Sequence, residues 1–257
     1  MFYQVIQYIK FLFKSTNQHG IHSPFVFDLV TKCFYDKAHY SAYNAISSYK
    51  KSLLKINTKI NVLDLGKGSR LIKRKERKVY AIAKNAGTTY KRAKLLYRLS
   101  KYFKSKSILE LGTSLGIATH ALSSGHPEAK VTTIEGCPNT AKFAKEGLQA
   151  HQANNITVIT GDFNDHIKKL DSNSFDLVFF DGNHQKEATL NYFEVLLPTA
   201  HNNSVFIFDD IYWSKGMTEA WEIIKQHPKV TVTIDTFYWG LVFFRREQVK
   251  EHFTIRI

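Results

Sequence analysis

An alternation of short apolar strands and amphipathic helices runs from residue 107 to residue 246, and it restricts the possible folds more than any other feature. Stretches such as "SILEL" (107–111) and "FDLVFFD" (175–181) are strand-like, and each precedes a helical stretch. Five such pairs are followed by a hairpin pattern in residues 229–246. Because helices that join successive parallel strands cover both faces of a sheet, the pattern predicts an α/β fold. The expected sheet is doubly wound, mostly parallel and seven-stranded, with one reversed strand.

The charge distribution predicts a boundary near the first of these strands. Residues 1–107 contain 23 Lys and Arg against 4 Asp and Glu, whereas residues 108–257 contain 13 against 18. The first part is also helical and loop-rich in pattern. We therefore expect a helical, basic N-terminal extension over residues 1–105 and an α/β domain over residues 106–257. A surface this basic favours anionic partners, with nucleic acid, an anionic membrane surface and an anionic metabolite all open.

Two glycine-rich turns compete for the role of ligand-binding loop. The stretch "ILELGTSLG" (108–116) is a strand and loop followed by an apolar helix, as ligand sites at strand ends require. An acidic residue, Glu135, ends the next strand, where it is suited to accept hydrogen bonds from ribose hydroxyls. The stretch "NVLDLGKGSR" (61–70) is followed by a highly charged segment instead. We predict that 108–116 binds the ligand.

The turn at 61–70 keeps two interpretations. It is either a simple turn of the basic extension or a loop that lines the active site from outside. Under the second interpretation its residues of interest are Asp64, Ser69 and Arg70.

The turn at 108–116 has Glu110, Gly112 and Gly116 in the pattern ExGxxxG. This spacing resembles motif I of the class I S-adenosylmethionine-dependent methyltransferases. This resemblance implies a Rossmann-like fold with S-adenosylmethionine as cofactor. It places motif I near the methionine part of the cofactor, Glu135 at the ribose, and Asp162 with Phe163 at the adenine. The cofactor-binding residues implied are Glu110, Gly112, Thr113, Ser114, Gly116, Glu135, Asp162, Phe163 and Asp181.

Three carboxylates follow the next two predicted strands. Asp181 ends the fourth strand, and Asp209 and Asp210 end the fifth. Carboxylates brought together at one sheet edge need a neutralising cation, and such oxygen ligands suit Mg²⁺, Ca²⁺ or Mn²⁺. We predict a metal site of Asp181, Asp209 and Asp210, most simply for Mg²⁺. The alternative is that they cap strand ends and contact the cofactor without a metal.

This arrangement resembles the metal-dependent O-methyltransferases of the catechol type, and more closely the macrolide and sugar type, which carry paired aspartates on the fifth strand. The catechol type has Asp-Asn there, and a lysine base at the position of His184. The resemblance implies catalytic roles for Asp181 and His184, with His184 as general base, since its ordinary pKa suits neutral pH. A helix-capping histidine is the alternative.

The expected function is therefore methyl transfer to an oxygen of a small molecule, assisted by a divalent cation. An anionic small molecule is one version of this expectation. The alternatives are an RNA or protein N-methyltransferase guided by the basic extension, and a non-catalytic module that binds the cofactor or an anion.

The remaining features concern the compartment and the partners. Cys33 and Cys137 have no metal-ligand spacing, and no stretch reaches the roughly 18 apolar residues of a membrane span. A cytoplasmic protein is expected. The apolar helix predicted at 1–14 either packs on the domain or in a homodimer, or it lies on a membrane surface.

Overall fold

The computed structural model describes residues 2–63, 75–170 and 174–257. The helices of the described residues are α1 (Phe2–Lys14), α2 (Pro24–Leu29), α3 (Ala42–Leu53), α4 (Val79–Asn85), α5 (Tyr90–Tyr102), α6 (Ile117–Ser123), α7 (Pro138–Ala150), α8 (Phe163–Ile167), α9 (Lys186–Leu196) and α10 (Lys215–Gln226). The strands are β1 (Lys59–Asn61), β2 (Glu76–Lys78), β3 (Ser107–Leu111), β4 (Lys130–Glu135), β5 (Ile156–Thr160), β6 (Phe175–Phe180), β7 (Ala200–Asp209), β8 (Val232–Asp235), β9 (Trp239–Phe243) and β10 (Glu251–Thr254).

The predicted fold class is confirmed. Strands β3 to β10 belong to a mostly parallel sheet, and α6 to α10 alternate with its strands along the chain. The sheet has eight strands in the described residues, rather than the seven predicted. The additional strand is β10, which is short and carries two polar residues before its buried Phe253, so its sequence gave little strand signal.

The chain divides into two compact units. One unit consists of Lys37–His166, and the other consists of Met1–Asp36 together with Ile167–Ile257. The boundary predicted between residues 105 and 106 addresses a different division and stays a prediction.

The unit of Lys37–His166 contains three parallel strands with β4 between β3 and β5. These strands are rich in β-branched and apolar residues, which favour the strand conformation. Thr89 begins α5, where its hydroxyl accepts a hydrogen bond from the Arg92 N–H. Pro138 occupies the first turn of α7, where its missing N–H has no cost. The extension predicted as helical also contains the antiparallel pair β1 and β2.

The other unit contains β6 and β7 in parallel, followed by β9, β8 and β10. The predicted hairpin is present as β8 and β9, and β9 runs antiparallel to both of its neighbours. Aromatic rings fill the core around these strands. The rings of Phe180 and Phe208 stack with centroids 4.2 Å apart, so adjacent strand ends are packed rigidly where they lead into the acidic loops.

Among the described residues, no helix combines the length and the apolar character that crossing a bilayer requires.

Candidate functional site

The loop between β3 and α6 has a backbone that ordinary residues rarely adopt. Gly112 and Gly116 have φ angles of 105° and 76°. A Cβ atom added at Gly116 would lie 3.0 Å from the nearest atom of the Leu148 side chain. The Gly112 N–H donates to the Ile134 carbonyl at 2.9 Å, which ties the loop to β4. The positive φ angles therefore favour glycine at both positions, and at Gly116 a side chain would also crowd Leu148.

The carboxylate of Glu135 links this loop to the next one. Its Oε2 accepts a hydrogen bond from the Ser114 N–H at 2.8 Å, and its Oε1 accepts one from the Cys137 N–H at 3.0 Å. A carboxylate offers about four lone-pair sites, and these hydrogen bonds use one on each oxygen. The carboxylate thus shapes the glycine loop, and the ribose-binding role expected of Glu135 stays a prediction.

Glu110 lies beneath the loop as a fully buried carboxyl group. Its Oε2 accepts hydrogen bonds from the hydroxyls of Thr119 at 2.5 Å and Thr133 at 2.6 Å. Its Oε1 has no hydrogen-bond partner among the described residues. Burial raises the pKa of Glu110 to about 7, although the two threonine hydrogen bonds act in the opposite direction. The group is therefore close to half-protonated at neutral pH.

We expect Glu110 to make the protein less stable as the pH rises from about 4.5 to about 7. Its pKa is higher in the folded state than the usual 4.5, so the folded state binds the proton more tightly over this range. Replacement by glutamine should remove this slope, worth at most about 3 kcal/mol in the free energy of unfolding. Urea unfolding of Glu110→Gln and of the unmodified protein at pH 5 and at about pH 8 would measure it.

The exposed Glu146 on α7 supplies the matched control, because Glu146→Gln removes a carboxylate without changing the core. Parallel pH profiles for Glu110→Gln and the unmodified protein would contradict the prediction.

The pair predicted at the adenine lies at the start of α8. The Gly161 N–H donates to the Glu135 carbonyl at 3.0 Å, which brings this turn next to the ribose candidate. Asp162 is exposed, and its Oδ1 accepts from the Asn164 N–H at 2.8 Å. Phe163 is half-buried. Asp162 thus has a local role at the helix start, and its role at the adenine stays a prediction.

The turn at 61–70 falls largely outside the described residues, together with Asp64, Ser69 and Arg70. The residues beside it are described. The Val62 N–H donates to the Lys75 carbonyl at 2.7 Å, and the Leu63 N–H donates to Cys137 Sγ at 3.2 Å. The second contact joins the segment just after β1 to Cys137, which lies two residues after Glu135. The choice between the two interpretations of the turn stays open.

A second candidate site lies at the ends of β6 and β7. Each of Asp181, His184 and Asp209 offers one ligand atom, and these atoms lie within 4.8 Å of one another. Asp209 is buried, and the other two residues are half-buried. Asp210 does not belong to this group, so its predicted role as a ligand stays a prediction. Two carboxylates and an imidazole at this separation have the donor chemistry of a divalent metal site.

Asp209 is held in place by a residue of the neighbouring strand. Trp239 lies opposite Asp209 in the pairing of β7 and β9, and its indole N–H donates to Asp209 Oδ1 at 2.6 Å. Trp239 is itself buried. The hydrogen bond fixes the orientation of the carboxylate. The sequence carries no signal that assigns Trp239 this role, because the register of a hairpin is not visible in composition.

Both loops that carry the group contain a residue in the left-handed region. Asn183 and Asp210 have φ angles of 51° and 53°. Asparagine and aspartate tolerate this conformation better than other non-glycine residues. The Asn183 amide also donates to the Tyr192 hydroxyl at 3.0 Å, and the Trp213 N–H donates to the Asp210 carbonyl at 2.8 Å. Strain of this kind is common where a loop must aim side chains at a site.

One family model covers both the glycine loop and the acidic strand ends. Residues 109–211 match the family model described as a methyltransferase domain. The predicted resemblance to the class I S-adenosylmethionine-dependent methyltransferases is thus confirmed for this part of the chain.

One curated relative connects the chain with the catechol type. The catechol O-methyltransferase of Mycobacterium tuberculosis is 31% identical over 126 residues, which are 48% of this chain and 56% of that protein. The match therefore spans about half the length of the relative.

Solved structures confirm the fold over a longer stretch. The O-methyltransferase TomG of Streptomyces achromogenes, solved in complex with S-adenosylmethionine, superposes with a TM-score of 0.58 at 18% identity, covering 84% of this chain and 95% of its own. A methyltransferase of Podospora anserina bound to S-adenosylhomocysteine gives 0.62 at 14% identity, covering 88% and 97%. At these identities the likeness concerns the fold.

Proposed function

We propose that this chain is an S-adenosylmethionine-dependent O-methyltransferase that acts on a small molecule with the help of a divalent cation. The observation that carries the proposal is the Glu135 carboxylate bonded to the Ser114 N–H of the glycine loop, within the segment matched to a methyltransferase domain. The catechol O-methyltransferase relative and the cofactor in the TomG structure support the same chemistry.

The glycine loop and its neighbours would bind the cofactor. Glu135 would accept hydrogen bonds from the ribose hydroxyls. The left-handed backbone at Gly112 and Gly116 would allow the main chain to approach the methionine portion closely. The cofactor would supply a methyl group that its sulfonium activates for transfer to the acceptor oxygen, with S-adenosylhomocysteine as the other product.

Asp181, His184 and Asp209 would hold the cation, and it would lower the pKa of an acceptor hydroxyl. We assign His184 to the ligand set, because its ring nitrogen lies among the carboxylate oxygens. Its predicted role as general base remains the alternative. An imidazole in the set favours a transition ion such as Mn²⁺ over Mg²⁺, which prefers oxygen donors alone.

The experiment that tests this function is a calorimetric titration with S-adenosylhomocysteine in EDTA, followed by titrations of MgCl₂ and MnCl₂ into the metal-free protein. We expect one S-adenosylhomocysteine site per chain and tighter binding of Mn²⁺ than of Mg²⁺. Failure to bind S-adenosylhomocysteine in every buffer would contradict the function. If S-adenosylhomocysteine binds but neither Mg²⁺ nor Mn²⁺ does, methyl transfer stands as the proposal and the divalent cation is removed from it.

Nucleic acid N-methylation is a second candidate, favoured by one observation. Residues 37–107 contain 20 Lys and Arg against two acidic residues. Binding of RNA that weakens steeply with rising salt would support this candidate, because released counterions give a strong salt dependence. Salt-independent or absent RNA binding would favour the small-molecule acceptor. A cytoplasmic location stays a prediction.

A further inference from the structure

Helix α1 is oriented against the usual rule for surface helices. The half-buried residues of its protein-facing side include Tyr3, Gln4 and Gln7, and Phe11 is its one buried residue. The Tyr3 hydroxyl donates to Thr218 Oγ1 at 2.8 Å. A helix on a domain surface normally turns its apolar stripe inward and its polar side outward. Here much of the inward side is polar.

The opposite side of α1 is a continuous apolar surface exposed to solvent. Its spacing follows one helical face, with residues three, four and seven positions apart. The exposed residues are Phe2, Val5, Ile6, Tyr8, Ile9, Leu12 and Phe13. Phe2 and Phe13, near the two ends, are 81% and 88% exposed. Seven large apolar side chains on one face are a contiguous patch, which in soluble proteins usually marks an interaction site.

The charged residues of α1 itself are all positive. Lys10 and Lys14 are exposed, and the helix carries no acidic residue. The guanidinium of Arg256 donates to the Leu12 carbonyl at 3.2 Å, which adds a third cation at the end of the helix. An apolar face bordered by cations fits a surface that is apolar inside and anionic at its rim.

We propose that α1 docks on the surface of an anionic lipid bilayer, with its apolar face in the interface and its lysines among the headgroups. A second copy of the chain fits less well. A 13-residue helix is about 20 Å long, so pairing two copies through α1 buries only a few hundred Å² per copy, against about 800 Å² in a stable interface. Such pairing also brings Lys10 and Lys14 of two copies together without an acidic partner on either helix.

The test is co-sedimentation of the full chain with vesicles of equal parts phosphatidylcholine and phosphatidylglycerol, and with vesicles of phosphatidylcholine alone. We expect binding to the anionic vesicles and much weaker binding to the neutral ones. Phe13→Glu should lower the apparent affinity at least about tenfold, because it removes an inserted ring and adds a repelled charge. Binding should also weaken in about 1 M NaCl, where charges are screened beyond about 3 Å.

Val249→Glu is the matched control, since Val249 is 78% exposed, lies outside α1, and receives the same charge. It should bind as the unmodified protein does, and circular dichroism should show both variants folded. Absence of binding to anionic vesicles would overturn the proposal, as would equal binding by Phe13→Glu. Sedimentation velocity tests whether a second copy of the chain binds to this face instead. If the protein does not bind vesicles and is a dimer that Phe13→Glu converts to a monomer, the face serves self-association.

Discussion

Replacing Asp209 with asparagine is expected to lower the affinity for Mn²⁺ by about 100-fold or more, while leaving the binding of S-adenosylhomocysteine in EDTA unchanged. The substitution keeps the shape and an oxygen for the Trp239 indole, but it removes the charge from the one buried carboxylate of the group. Loss of a residue that only orients a metal ligand costs about 10- to 100-fold in affinity, so loss of a charged ligand should cost at least the upper value. Electron paramagnetic resonance of free Mn²⁺ during titration measures the effect.

Two further variants separate the observed group from the predicted one. Asp210→Asn places asparagine in a left-handed position that it tolerates, and it should leave Mn²⁺ affinity nearly unchanged if Asp181, His184 and Asp209 are the ligands. Trp239→Phe should lower the affinity about 10-fold, because it removes only the hydrogen bond that orients Asp209. Equal losses in Asp209→Asn and Asp210→Asn would favour the paired aspartates. Unchanged affinity in Asp209→Asn would exclude the group as a metal site.

Replacing Glu135 with alanine is expected to reduce the affinity for S-adenosylhomocysteine about 10- to 100-fold, because hydrogen bonds to a charged group contribute about 1.5–3 kcal/mol each. Two effects act together. The variant loses the acceptor proposed for the ribose, and it releases the N–H groups of Ser114 and Cys137 that shape the two loops. Calorimetric titration in EDTA measures the change without interference from metal.

Glu135→Gln and Glu146→Ala complete this comparison. Glutamine retains one oxygen acceptor, so an intermediate affinity is expected. Glu146 is exposed on α7, where its Oε1 lies 4.0 Å from Lys142 Nζ. Its removal should leave the affinity for S-adenosylhomocysteine unchanged. If Glu135→Ala binds S-adenosylhomocysteine as tightly as Glu146→Ala does, Glu135 is not the ribose ligand.

The local pattern of the sequence was sufficient for the fold class and for the binding loop as a structural motif. Alternating strands and helices dictate a mostly parallel sheet, since chain direction and connection handedness leave few other arrangements. Gly112 and Gly116 marked a loop whose backbone other residues avoid, and both glycines have positive φ angles. Glu135 was identified because a carboxylate at the end of the second strand necessarily lies beside the loop that ends the first.

The metal candidate shows where pattern stops being informative. The sequence placed Asp181, Asp209 and Asp210 at neighbouring strand ends, but side-chain direction alternates along a chain and is decided by the loop backbone. The left-handed residues Asn183 and Asp210 lie in the two loops that carry the metal candidate. In the structure His184 joins Asp181 and Asp209 in this group, and Asp210 does not belong to it.

The sequence by itself determined the order of elements, the glycine loop with its acidic partner, and the excess of positive charge, because each depends on residues close together in the chain. Tertiary structure alone decided the strand register that sets Trp239 against Asp209, the addition of β10 to the sheet, and the side of α1 that faces solvent. These features depend on which distant segments meet. The helical period of α1 shows that it has two faces, but only packing against the rest of its unit selects the polar face for the inside.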